Sequence, residues 1–202
     1  TIVSFHAPGY VSETGLSRAR MEETAGVRMK PKTVRGVLSA IDVATGREWG
    51  CGLTRPADGL EDRPRGTRRR PVGAVQRGLF LPDEGAPLMT GVGDLADVTV
   101  AVSKEHGGWT SVFSALPALA PDVLRRIYRD AGVHVYTDAD VVLSANAAWL
   151  MLHTRAKGRY EVRLPRVCKR VVNVTCDRVV ATDADRFFCP MEAFQTGVFL
   201  LD

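Results

Sequence analysis

His6 closes the apolar run Ile2-Val3-Ser4-Phe5 and stands directly before Ala7-Pro8-Gly9. That is the end of a strand where open α/β sheets place their ligands, and an imidazole there can move a proton at neutral pH. Proton transfer alone needs a nucleophile to serve. Cys51 is followed by Gly52 but lacks the strand–turn–helix setting of a nucleophile elbow, so a structural role is the simpler reading of His6 and a hydrolase centred on it the alternative. Aromatic faces stack on the C–H surfaces of sugars, which makes the three tryptophans the other candidates. Trp109 and Trp149 lie in strand-like runs and are expected to fill a core or an interface, whereas Trp49 sits in the polar Arg47-Glu48-Trp49-Gly50. His6 and Trp49 are therefore the substrate-binding candidates, and no residue is assigned a catalytic role.

Two carboxylate pairs could do acid–base work or hold Ca²⁺: Asp138 and Asp140 in Thr137-Asp138-Ala139-Asp140, and Asp183 and Asp185 in Thr182-Asp183-Ala184-Asp185. The further oxygen ligands of a calcium loop are missing at the required spacing, so both pairs read as turns capped by their own side chains. The cysteines Cys51, Cys168, Cys176 and Cys189 form no C-x-x-C pair, and His6, His106, His134 and His153 are far apart. No zinc signature results. Cys168 and Cys176 could face each other across a hairpin, although free thiols packed as small hydrophobes are the simpler expectation; His134 and His153 read as satisfied structural histidines. No metal and no cofactor are expected.

The formal charge is +4 over 202 residues with a sequence pI near 9.0. The excess is local: Arg63, Arg65, Arg68, Arg69 and Arg70 fall within the stretch 61–71, broken by Pro and Gly and without interleaved aromatics for base stacking. A solvated surface excursion is expected there rather than a nucleic-acid site, with weak polyanion binding the alternative. At 45% hydrophobic and 25% charged residues, the chain has the composition of a soluble globular protein large enough for a real core. No apolar run approaches the roughly 20 residues of a membrane-spanning helix. The sequence begins at Thr1 with a strand-like run and no initiator Met, so the chain is expected to be cut from something longer.

The elements that would position these residues change along the chain. Residues 1–6 read as a buried parallel strand, Ser17 as the N-cap of a helix over 18–25 with Leu16 and Met21 packed around its first turn, Gly26 as its stop and 27–29 as a strand, giving one βαβ unit. Apolar alternation over 33–52, with a turn at 44–47, and over 72–80, 87–90, 98–102 and 109–115 predicts further strands. A helix follows over 122–131, led by Pro121 and carrying Val123, Leu124, Ile127 and Ala131 on one face opposite Arg125, Arg126 and Arg129. With 109–115 before it and a strand at 133–136 after it, this again reads as βαβ. Beyond Gly132 eight short strands are expected, over 133–136, 141–145, 149–154, 160–164, 170–174, 179–181, 186–188 and 197–201, at the close spacing of a small antiparallel sandwich.

Read together, Phe5-His6-Ala7-Pro8-Gly9-Tyr10-Val11, Gly15-Leu16-Ser17 and Met21-Glu22-Glu23-Thr24-Ala25-Gly26-Val27-Arg28 resemble the trimerisation domain of β-galactosidases, and Gly108 to Tyr136 is similar to its end. Val141 to Pro165, with Ala145-Asn146, Leu150, Leu152-His153 and Val162-Arg163-Leu164-Pro165, resembles the small C-terminal β domain of family 42 glycoside hydrolases. The resemblance is close at both ends of the chain and poor over 33–95. It implies an α/β plus all-β fold: a partial flavodoxin-like layer over 1–132, similar to class I glutamine amidotransferases and incomplete at its N-terminus, then a β-sandwich over 133–202. It also implies an upstream (β/α)₈ barrel, trimeric assembly, a carbohydrate substrate for the parent enzyme, and neither nucleic acid nor membrane as partner. Retaining glycosidases act through two carboxyl groups about 5–5.5 Å apart, held in this family on a barrel of roughly 250 residues. The expected function is thus a non-catalytic assembly or accessory region of a β-galactosidase-like hydrolase, or alternatively a carbohydrate-binding or interaction module. The compartment is left open, with a cytoplasmic one favoured.

Overall fold

The computed structural model describes residues 1–13, 15–34, 38–50 and 77–202. Cys51 and the arginine-rich stretch 61–71 lie outside them. The chain divides into two compact units, Thr1–Val123 and Leu124–Asp202.

In the first unit, β1 (Ile2–Phe5) is followed by the two-residue strands β2 (Val11–Ser12) and β3 (Gly15–Leu16), the helix α1 (Arg18–Ala25), β4 (Met29–Val34), β5 (Ser39–Asp42) and β6 (Glu48–Gly50). Then come β7 (Arg77–Pro82), β8 (Ala86–Gly91), β9 (Thr99–His106) and β10 (Trp109–Ser114). The caps of α1 are where its sequence puts them: the Ser17 hydroxyl accepts from the Arg20 amide at 3.3 Å, and Gly26 ends the helix in a left-handed conformation at φ +67°. Met21 and Ala25 are its buried residues. Leu16 is 68% exposed instead of packing on the first turn, because it pairs with Val11 in the β2–β3 hairpin.

Six strands form one sheet in the order β1-β10-β9-β8-β5-β6. The β1–β10 pairing is parallel and the others are antiparallel. β4 and β7 form a separate two-stranded antiparallel ladder, in which Pro31 sits opposite Phe80. The expected βαβ unit therefore does not form, since α1 connects strands of different sheets. β1 is parallel as expected but is not a buried strand: it lies at the sheet edge with Ile2 54% and Phe5 37% exposed. The turn at 44–47 is held by buried Asp42, whose carboxylate accepts from the Ala44 amide at 3.1 Å and the Thr45 hydroxyl at 2.8 Å.

The helix α2 (Pro121–Asp130) spans the boundary between the units, with Val123 and Ile127 buried as its stripe predicts and Ala131 exposed. The extended segment 133–137 that follows joins no ladder, so the second expected βαβ is also absent. Gly132 at φ +74° turns the chain, the Val133 amide returns to the Tyr128 carbonyl, and the segment is tied instead by the Arg163 amide donating to the Tyr136 carbonyl at 2.7 Å.

The second unit contains β11 (Val141–Ala145), β12 (Trp149–Thr154), β13 (Gly158–Asn173), β14 (Arg178–Met191) and β15 (Thr196–Leu201). They make one antiparallel sheet in the order β11-β12-β15-β13-β14, not two facing sheets. Four expected short strands fuse pairwise into the long hairpin β13–β14. Pro165 interrupts it without ending it: the register shifts between Arg163 and Cys168, where the missing amide hydrogen cannot join the ladder. The sheet curls at this break, so that Phe187 of β14 meets Phe199 of β15 with ring centroids 4.9 Å apart although the two strands are not ladder neighbours. Leu150, Leu152, Val162, Val171, Phe187 and Phe199 form the resulting core.

Phe199 is fully buried in that core, whereas Val142 is 62% exposed. Phe199→Ala is expected to lower unfolding stability by about 3–5 kcal/mol and Val142→Ala by no more than about 0.5 kcal/mol, as read from urea denaturation. Glu84 supplies a pH prediction. It accepts from the Lys104 ammonium at 2.7 Å and from the Arg28 amide at 2.9 Å, and these bonds, the Lys104 bond foremost, hold its carboxyl down at about 2 from an ordinary 4.5. A carboxylate depressed on folding contributes stability that is complete above its unfolded value and is lost as pH falls toward its folded value. The melting temperature should therefore drop on acidification from 4.5 toward 2 more steeply in the parent chain than in Glu84→Gln.

Candidate functional site

The β9–β10 hairpin turns through Gly107-Gly108, with Gly108 at φ +122°. In so tight a turn the two flanking residues face each other across the ladder, and here they are His106 and Trp109. Their rings lie nearly parallel, 13° apart with centroids at 4.2 Å. The imidazole is held from the other side of the ladder: its Nε2 is 2.9 Å from the hydroxyl of buried Ser111, which also donates to the Lys104 carbonyl at 3.4 Å. α1 closes in from its C-terminal end. A Cβ built on Gly26 would stand 2.8 Å from His106 Nε2 and 2.9 Å from Trp109 Cη2, so the bare helix stop is what lets the stacked pair lie against it.

A cavity of about 300 Å³ opens at the tip, lined by Glu105, His106, Gly107, Gly108, Trp109 and Thr110. Glu105 and Thr110 are directly paired across the strands. By strand alternation the His106 and Trp109 rings share one face of the hairpin and the Glu105 carboxylate and Thr110 hydroxyl the other, and no lysine or arginine is among the six lining residues. Sequence reasoning passed over it by expecting Trp109 to fill a core or an interface; the signal was the aromatic pair framing two glycines.

The sequence-derived candidates are not brought together. His6 is exposed at φ +58°, its amide donating to the Ser114 carbonyl at 2.7 Å, and its imidazole makes no hydrogen bond among the described residues. Trp49 is half-buried in β6 opposite Ala40. The order of the tryptophans is the reverse of that expected: Trp109 and Trp149 are 39% and 44% exposed. Each begins its strand, and in β12 the alternation turns Leu150 and Leu152 inward, leaving Trp149 on the outer face.

Neither aspartate pair forms a turn capped by its own side chains. Asp138 binds the guanidinium groups of Arg129 and Arg163, and the Arg163 bond foremost holds its carboxyl below the usual range. Asp140 pairs with Arg125 at 2.8 Å, and it is Thr137 that caps the bend, accepting from the Ala139 amide. Asp183 and Asp185 lie inside β14 rather than in a turn; Asp183 takes φ +45° and Asp185 pairs with Arg186. His134 and His153 contact the Arg163 carbonyl and the Thr196 hydroxyl.

Cys168, Cys176 and Cys189 are free thiols, and Cys168 sits opposite Ala184 rather than Cys176. Burial pushes the Cys189 thiol up to about 11, where it is protonated and unreactive at neutral pH. Among the described residues no group of three or more His, Cys, Asp or Glu side chains is placed to hold a metal ion, and no helix is long and apolar enough to cross a membrane.

No protein-family model matches the chain, and no curated protein matches it either. Solved structures do. A β-galactosidase from Bacillus circulans sp. alkalophilus superposes on 99% of the chain with a TM-score of 0.56 at 11% identity, and the match takes up 29% of that enzyme. A GH42 β-galactosidase from G. stearothermophilus matches 98% of the chain with a TM-score of 0.52 at 12% identity over 27% of its own length. A β-galactosidase from a Rahnella species matches 98% with a TM-score of 0.50 at 13% identity over 28% of its length. The chain thus shares the fold of a part, under a third, of each of these enzymes.

Gly26 makes the hairpin site testable on its own. Gly26 and Gly46 have nearly the same φ, +67° and +69°, but a Cβ at Gly46 meets nothing within 4 Å. Gly26→Ala and Gly46→Ala should share the left-handed backbone penalty of about 1–2 kcal/mol. Only Gly26→Ala should cost more than that and shift the Trp109 emission, as followed by thermal melts and fluorescence.

Proposed function

We propose that this chain is a non-catalytic assembly or accessory region of a larger β-galactosidase-like glycoside hydrolase. The observation that carries the reading is the asymmetry of coverage: nearly all of this chain is used in matching less than a third of the B. circulans enzyme. On this reading the first unit descends from the flavodoxin-like trimerisation layer, for which the parallel pairing of β1 with β10 is the supporting trace, and residues 133–202 supply the terminal β domain. The parent would then assemble as a trimer and carry its chemistry on a barrel encoded ahead of Thr1.

Two measurements decide it. The purified chain should release no nitrophenol from a nitrophenyl β-galactoside above the buffer rate; turnover that survives repurification and scales with protein would overturn the non-catalytic reading. Sequencing the coding region upstream of Thr1 should reveal an open frame long enough for a barrel of roughly 250 residues. An in-frame stop immediately ahead of Thr1 would refute the parentage.

A further inference from the structure

We infer that the outer face of the second unit's sheet is a self-association surface, on which two copies of this chain pack face to face as a two-fold dimer. The inference goes beyond the accessory-region reading and does not rest on it.

The strands of the second unit are apolar on both sides. In β12 and β15, Leu150, Leu152, Phe199 and Leu201 turn into the core, so the residues that alternate with them point the other way. The ladders set these residues in rows. Trp149 is paired with Leu200, Leu200 with Val172, and Val172 with Val179, one apolar row across β12, β15, β13 and β14. In the next row Met151 is paired with Val198 and with Ser144 of β11. A third row, Val142, His153 and Thr196, forms the border. There the His153 Nδ1 lies 2.8 Å from the Thr196 hydroxyl, so the polar pair is matched within the face itself. No Lys, Arg, Asp or Glu stands in any of the three rows.

An antiparallel sheet with one side in water alternates apolar and polar residues, whereas strands apolar on both sides belong to sheets that are covered on both. The described residues leave this face open: Trp149 is 44% exposed, Val179 52% and Val142 62%. Three features select a second copy as the cover. The layer that matches an uncharged apolar sheet face is another of the same size, and a two-fold axis brings this face onto its own like. The lack of charge leaves nothing to recognise a charged partner by, while a tryptophan and a methionine within a field of aliphatic side chains are the residue types enriched at protein interfaces. The area also fits. Five strands about 4.8 Å apart and three rows about 6.8 Å apart let two copies bury roughly 1,000 Å² together, the lower bound of a specific interface. Two sheets joined in this way lie about 10 Å apart with their strands about 30° from parallel, so the sandwich that one chain lacks is completed between two. The contact is made by faces and leaves the margins β11 and β14 unpaired.

The test is sedimentation equilibrium of the chain from about 1 to 500 µM, with a monomer–dimer Kd of about 10–100 µM expected for so small an interface. Trp149→Glu and Val179→Glu each put a charge at an exposed position of the face. Each should weaken the dimer at least about tenfold and leave the melting of the dilute protein close to that of the parent chain. Val179 lies on the marginal strand β14, so its variant decides the matter if the Trp149 change impairs folding. Val11→Glu, at a 76% exposed residue of the first unit, should leave association unchanged. Tryptophan emission should move to the blue with the same midpoint as dimer formation; Trp149→Phe should keep the dimer and lose most of that shift. The dimer should persist in about 1 M NaCl, where ion pairs are screened. The proposal is overturned by a chain that stays monomeric up to about 500 µM, well above the weakest expected Kd, by an oligomer that neither face variant weakens, or by a dimer that salt dissociates. Those outcomes leave the accessory-region reading standing, because it is judged by turnover and upstream coding sequence.

Discussion

The first unit hangs on β10. Both edges of this strand are hydrogen-bonded, to β1 in parallel and to β9 in antiparallel fashion, and residues 111–114 are buried to within 2%. A backbone taken out of water must have its amides and carbonyls paired, and β10 meets that demand from both sides at once. The ladder with β1 also joins residues some 110 positions apart in sequence, because Ile2 pairs with Ser111. The same strand begins with Trp109 at the solvent end and runs down to the fully buried Phe113 and Ser114. The hairpin tip therefore stands on a base that cannot move without breaking two ladders of the sheet.

Local features were the part of the fold that could be read from residues. Ser17 and Gly26 bound α1 because capping depends on a hydroxyl within reach of a nearby amide and on a residue free to take positive φ, both settled within a turn of helix. Strand existence was legible for the same reason, since alternation of apolar residues is a local property. Pairing was not. The step from a strand–helix–strand order to a parallel α/β layer assumes that consecutive strands share a sheet, and β4 chose β7 instead. Pro165 misled in another way: proline reads as a stop, yet β13 continues beyond it by shifting register, which only the partner strand reveals.

Of the candidate site, less was visible. His6 and Trp49 were singled out one at a time from their neighbours, whereas the arrangement that the structure assembles depends on a pair, His106 and Trp109, and on a helix end 80 residues earlier in the chain. The stacking partner could have been inferred from the two-glycine turn between them. The Gly26 contact could not, because it is a tertiary meeting of two elements with no common periodicity. Likewise the arginines that neutralise Asp138 come from α2 and β13, and nothing within the short Asp-Ala-Asp sequence announces them. Fold likeness to β-galactosidases at 11–13% identity has the same character: the backbone path persists where the side chains that would have declared it have changed.

The irregular geometry of β14 bears on the chain's behaviour at high concentration. A 14-residue strand at the margin of a sheet presents a row of unused amides and carbonyls to which a neighbouring molecule could zip. Asp183, forced to φ +45°, and the slip in register opposite Pro165 break that row into shorter lengths. Arg178, Asp183, Asp185 and Arg186 add charge along it. A kinked and charged margin makes a poor template for fibril growth, so the distortion that spoils the regularity of the hairpin also keeps separate molecules from joining sheet to sheet.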